Sequence, residues 1–228
     1  MDMPGMADMP MNHLVMMSPH FSDWSLPLAG YLFAMWFIMM IGMMTPSAAP
    51  LVLLYLGVAR QAARGGHRFA SATWFYAGYL AAWGAFAVLA MLAQWALTSA
   101  ALMTPAMSTT SRSLGAIVLV VGGIYQWLSL KQTCLAHCRA PLSFIQKHGG
   151  FQESATGSLR LGATHGFYCV GCCWAEMLLL FVFGIMNPLW IAGLTLFVLL
   201  EKFAPGAHWI TRIAGALAAF AGVLMLMT

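Results

Sequence analysis

The segment His165-Gly-Phe-Tyr-Cys169-Val-Gly-Cys172-Cys173-Trp-Ala-Glu176 places an imidazole, three thiols and a carboxylate inside an otherwise apolar run. At about 100° per residue, His165, Cys169, Cys172 and Glu176 fall within an arc of roughly 60°, with Cys173 on its flank. Deprotonated thiols and neutral imidazole are metal ligands, and soft sulfur donors suit Cu(I), Zn(II) or an iron–sulfur cluster. A single cysteine here would read as a small packing residue. Three within five residues, sharing a helix face with His165 and Glu176, point to a metal site.

The other cysteines form a second cluster, Cys134 and Cys138, at i,i+4 spacing around His137. One site fed by both clusters requires the helix before Cys134 to continue to Cys138 inside the protein, or the chain to re-enter; two separate sites satisfy the sequence equally well. Glu176 is costly in an apolar segment, about 2.5–3.5 kcal/mol near a bilayer centre on insertion scales. It reads as a ligand, as a proton acceptor when thiols deprotonate, or as a carboxyl bonded to a neighbouring helix. Pairing with Lys131 looks unfavourable, because Lys131 is expected near a helix end and Glu176 past the middle of its own.

The methionines are the third signal. Of 19 in the chain, seven lie in the first 17 residues (Met1, Met3, Met6, Met9, Met11, Met16 and Met17), with His13 and His20 nearby. Core filling does not account for thioethers in a polar, Pro-containing tail, and thioethers bind Cu(I). Met39 and Met43 continue one stripe with Met35 in the next segment, and Met40 and Met44 form a neighbouring one. Taken alone, such stripes are interface filler; leading from a Met-rich tail, they read as a path for copper.

The elements that must position these groups follow from composition. The chain of 228 residues is 61% hydrophobic and 7% charged, with mean hydropathy +0.81, against about 25% charged residues in soluble domains. Apolar runs near the roughly 20 residues of a bilayer-crossing helix recur, and alternating strands are absent. The fold class is therefore all-α, a polytopic membrane bundle of about six helices: 28–58, with a kink or break at Pro46 and Pro50; 72–97; 114–130, extending towards Cys138; 161–186; a span after Asn187-Pro188 to about 200; and 210–227. Residues 1–26 form a Met-rich tail expected to be disordered, and 27–228 one transmembrane domain. Loops 59–71, 131–160 and 201–212 hold nine of the ten Lys/Arg. The positive-inside rule then places these loops in the cytosol and both termini outside. No basic n-region precedes the first apolar run, so no cleaved leader is expected. Basic residues beside spans are topology signals, so nucleic acid is not an expected partner; lipid is.

A set of motifs carries a family resemblance: Met43-Met44-Thr-Pro46-Ser47-Ala-Ala-Pro50, Lys131-Gln-Thr-Cys134-Leu-Ala-His-Cys138-Arg139-Ala-Pro141, Gly166-x-x-Cys169-x-Gly171-Cys172-Cys173-Trp174, Gly184-Ile-Met186-Asn187 and Glu201-Lys202. Over most of residues 30–203 the chain resembles a bacterial family of uncharacterised, metal-binding integral membrane proteins. The resemblance implies copper handling, including supply of copper to copper oxidases such as tyrosinases; no reaction is established for the family. The Met-rich tail is peculiar to this chain, and the position of Glu176 is usually apolar in the family, which weighs against a shared role for it.

The expected function is a copper-binding membrane protein that captures Cu(I) and holds, delivers or transports it, the recipient being a cuproenzyme such as a copper-dependent oxidase or, for a transporter, the cytosol. The expected ligands are Cys169, Cys172 and Cys173 supported by His165, with Cys134, Cys138, Met39, Met40, Met43, Met44 and Glu176 as further candidates. Zinc and iron–sulfur fit less well. Haem needs paired axial ligands, and His165 is the one histidine placed well inside a span. Neither a phosphate-cradling loop nor a Ser/His/Asp arrangement points to an enzyme. His67, His148 and His208 read as solvated. Two other classes stay open: an accessory or structural subunit of a larger oxidase- or monooxygenase-type membrane complex, and a redox membrane protein.

Overall fold

The structure, a computed structural model, describes residues 25–66, 69–104 and 107–227. The Met-rich segment, with His13 and His20, and the loop residue His67 lie outside the described residues. Among those described, eight helices and no strands occur: α1 (Leu26–Arg64), α2 (Ala72–Ser99), α3 (Arg112–Tyr125), α4 (Ser129–Arg139), α5 (Pro141–Lys147), α6 (Ala155–Phe183), α7 (Pro188–Phe203) and α8 (Ala207–Met227). Helix starts carry the expected chemistry. Ser25, Ser71, Ser111, Ser154 and Asn187 each accept a backbone N–H of the first turn, satisfying one of its orphan donors. Pro188 follows Asn187 at the first helical position, where a missing N–H costs nothing.

Four helices, α1, α2, α6 and α8, are long and apolar enough to cross a membrane; α3 and α4 together make a fifth if the pair counts as one broken span. Helix α1 runs without interruption through Pro46 and Pro50, so no break separates Met43 and Met44 from Ser47. The third expected span does change direction: α3 ends at Tyr125, and α4 leaves it at 65°. Segment 131–160 thereby contributes two helices, α4 and α5, to the body of the protein, and Lys131 on α4 is fully buried. Glu201 and Lys202, expected in a loop, are buried residues at the end of α7. Two of the cations counted for orientation, Lys131 and Lys202, are thus interior groups.

Small residues bring the central helices together. A Cβ at Gly162 on α6 would sit 1.8 Å from the Phe75 carbonyl oxygen, and one at Gly78 on α2 would sit 1.9 Å from that of Leu159. Gly166 meets Ala82 and Tyr79 in the same seam. The Gly162-x-x-x-Gly166 spacing therefore marks a close backbone approach of α6 to α2, the packing device of membrane helices. At the neighbouring Gly171 a Cβ would lie 2.9 Å from Cys134 Sγ, so this glycine admits α4 against the other side of α6. The core that results contains Trp36, Met40, Met43, Met44, Tyr79 and Trp83 packed around Cys169, Cys172 and Cys173.

Candidate metal centre

Five helices converge on Cys169. Its Sγ receives the Lys202 ammonium of α7 at 3.0 Å and lies 3.3 Å from the Tyr79 hydroxyl of α2. Ser47 on α1 stands 3.9 Å away and itself accepts from Lys202 at 2.9 Å. Tyr79 donates to the Met44 carbonyl at 3.0 Å, and Ser47 donates to the same carbonyl at 2.9 Å, so the Met44-Thr-Pro46-Ser47 turn of α1 is tied into the site.

The 65° turn into α4 supplies the next sulfur. Cys138 Sγ lies 3.9 Å from Cys172 Sγ, and the sulfurs of Cys138, Cys169 and Cys172 all lie within 4.8 Å of one another. Metal–sulfur bonds of about 2.3 Å, the zinc–thiolate value, would set three ligands of one trigonal ion roughly 4 Å apart. Cys169 and Cys172 are buried and Cys138 is half-buried. Three thiols with one ammonium form a centre that can accept a soft cation: Lys202 offsets part of the negative charge that metal-bound thiolates would carry in an apolar interior, where uncompensated charge is costly.

The remaining expected ligands fall around this group in different ways. Cys173 is buried but donates to the Cys169 carbonyl at 2.9 Å and faces Met44 Sδ at 3.9 Å. Cys134 packs over Gly171, outside the three-thiol group. Met40 and Met44 are fully buried in the core around the thiols. Met39 and Met43 line, with Met35 and Met186, an apolar cavity of about 620 Å³ between α1 and α7. His165 is buried, its ring packed against Phe75, Tyr79 and Phe144, and its Nδ1 has no hydrogen-bond partner among the described residues.

Glu176 stands elsewhere. Its carboxylate receives Gln126 Nε2 at 2.8 Å and forms an ion pair with Lys131, whose ammonium also meets both oxygens of Glu201 at 2.9 Å. All three charged side chains are buried, and Arg139 donates to the Glu201 backbone carbonyl. The pairing of Lys131 with Glu176, unfavourable on the expectation of a straight third helix, arises because the bend after Tyr125 turns α4 inward.

Five site residues carried no assigned role in the sequence reading: Ser47, Tyr79, Gln126, Lys202 and Glu201. A usable signal existed for the last two, since Glu201-Lys202 closes an apolar run where a solvated face is the ordinary reading. Tyr79 has no local signature, because its hydroxyl reaches Cys169 only through the α2–α6 seam.

The fold and site together define an all-α protein of membrane-length apolar helices enclosing a three-thiol centre. A family model described as PpoB2, copper chaperone, matches residues 33–225, and the chain belongs to that family. No curated protein and no solved structure matches it.

Proposed function

We propose that this protein is a multi-pass protein of the bacterial cytoplasmic membrane. It takes up Cu(I) and holds it at Cys138, Cys169 and Cys172 for delivery to a copper-dependent oxidase. The observation that carries the reading is the gathering of three sulfurs within 4.8 Å beside the Lys202 ammonium. Copper as cargo is supported by the family description and by donor softness. One Cu⁺ and one ammonium together balance two thiolates, so a copper-loaded centre with the third sulfur as a thiol is electrically neutral, as burial favours.

The membrane reading rests on the apolar helices, and the outer N-terminus on the excess of basic residues in the three segments named above. In this arrangement the amino-terminal methionines meet copper first, and the Met35, Met39, Met43 and Met186 cavity lies on the way inward. Helix α7, with 16 residues, spans roughly 24 Å at 1.5 Å per residue and crosses a bilayer of about 30 Å only with its flanking turns.

The test is copper stoichiometry. Purified, reduced full-length protein in detergent is expected to retain Cu(I) against a chelator. The Cys138→Ser/Cys169→Ser/Cys172→Ser variant is expected to lose the sulfur-bound ion, and Cys173→Ser to keep it. Retention of sulfur-ligated copper by the triple variant would remove the assignment.

A further inference from the structure

His137 and His148 belong to neither buried polar centre, yet the fold holds both in ligand-ready form. Each Nδ1 lies 2.8 Å from the carbonyl four residues earlier, His137 on Thr133 and His148 on Phe144. A carbonyl can only accept, so each Nδ1 carries the proton, and in the neutral ring the Nε2 keeps its lone pair. This is the hydrogen bond that fixes tautomer and ring orientation in metal-ligating histidines.

Packing fixes the rings as well. His137 stacks on Tyr168 with centroids 4.2 Å apart and planes within 5°. His148 lies against Phe144 at 4.3 Å. The two imidazole centroids are 6.2 Å apart. With metal–nitrogen bonds of about 2.0–2.1 Å, two imidazoles bound end-on to one ion have centres about 6 Å apart at any twist between their planes, which here is 69°. Both residues are half-buried, and His137 and Phe144 border a cavity of about 200 Å³ whose wall includes the exposed Lys147.

We propose that His137 and His148 form a two-imidazole Cu(I) site at the edge of α4 and α5, a transfer station one residue from the Cys138 thiol. The proposal rests on copper being the cargo. Two neutral nitrogens suffice for Cu(I), whereas a structural zinc site is closed by four ligands. Uncharged donors hold the ion less tightly than thiolates, so copper leaving Cys138 passes through the histidines only to a stronger acceptor.

The experiment loads reduced full-length protein in detergent with excess Cu(I) and reads copper per chain and its nitrogen or sulfur ligation by X-ray absorption. The wild type is expected to hold two ions, one nitrogen-bound and one sulfur-bound. His137→Phe/His148→Phe, which keeps the aromatic packing, is expected to lose only the nitrogen-bound ion; the triple Cys→Ser variant is expected to lose only the sulfur-bound one. If the double variant does not fold, His148→Gln alone is expected to weaken the nitrogen-bound ion by more than about a hundredfold, beyond the 10–100-fold of an outer-shell change. Unchanged binding in the histidine variants overturns the two-imidazole site and leaves the thiol centre standing. A wild type that binds no copper overturns both.

Discussion

Two buried polar centres share helix α6 and contrast in what they leave unsatisfied. Around Glu176, one ammonium (Lys131) meets two carboxylates and the Gln126 amide fills in, with Glu176 Oε2 left without a hydrogen-bond partner among the described residues. Around Cys169, one ammonium (Lys202) meets a group of three thiols, an excess of soft donors over cations. Adjacent residues of α7, Glu201 and Lys202, feed the two centres, since neighbours on a helix diverge by about 100°. The same construction, a buried lysine beside acceptors on α6, thus gives a cross-link in one case and, on the proposed function, a receptor in the other. The difference is the kind of donor, carboxylate oxygens around Lys131 and soft thiols beside Lys202.

Substitutions that act on one centre and spare the other test the contrast. The largest effect is expected from Gly162→Val, which touches neither. Its side chain would enter the Phe75 carbonyl and part α2 from α6, withdrawing Tyr79 from Cys169. More than about 4 kcal/mol of destabilisation is expected, read as loss of folded protein on size-exclusion chromatography; a stable, copper-binding variant would show that the seam does not position the site.

Lys131→Met comes next. It leaves two buried carboxylates without their cation, and breaking such a network costs about 3–5 kcal/mol. Thermal unfolding in detergent should register this as a clear drop in Tm, with copper still bound by the folded fraction. An unmoved Tm would mean that the Glu176 centre is not a structural tie.

Cys172→Ser should do the reverse: copper affinity falls by more than about a hundredfold, exceeding outer-shell losses, while Tm changes little because the small side chain is nearly isosteric. Lys202→Met keeps all three sulfurs but removes the charge that offsets them, so a fall of roughly 10–100-fold in Cu(I) affinity is expected, as for other outer-shell changes. Chelator competition measures both, and equal affinities in wild type and Lys202→Met would discard the charge-offset role. The smallest effect on copper belongs to Glu176→Gln, which retains an amide oxygen towards Lys131: stoichiometry is expected to be unchanged. A lost ion there would return Glu176 to the ligand set.

Much of this was legible in the chain. Composition dictates helices, because a run of apolar residues can bury its backbone polar groups in lipid only by bonding them internally. The i, i+4, i+7 spacing of His165, Cys169 and Cys172 puts them on one face of α6 whatever surrounds it, and Gly162-x-x-x-Gly166 announces a close neighbour. Those features are properties of a single helix, so local sequence suffices to state them. Which neighbour arrives, and with what, is decided by contacts between residues far apart in the chain. The bend after Tyr125 brings Cys138 to the thiols, leaves Cys134 over Gly171 and delivers Lys131 to Glu176, and no local pattern specifies that angle. Lys202 reads as a loop cation until α7 packs it against α1 and α6. Sequence determined that α6 carries an imidazole and thiols on one face; tertiary structure decided that Cys138, and not Glu176, lies beside Cys169 and Cys172, because such proximity depends on distances of a few ångströms between helices whose separation the helical repeat does not encode.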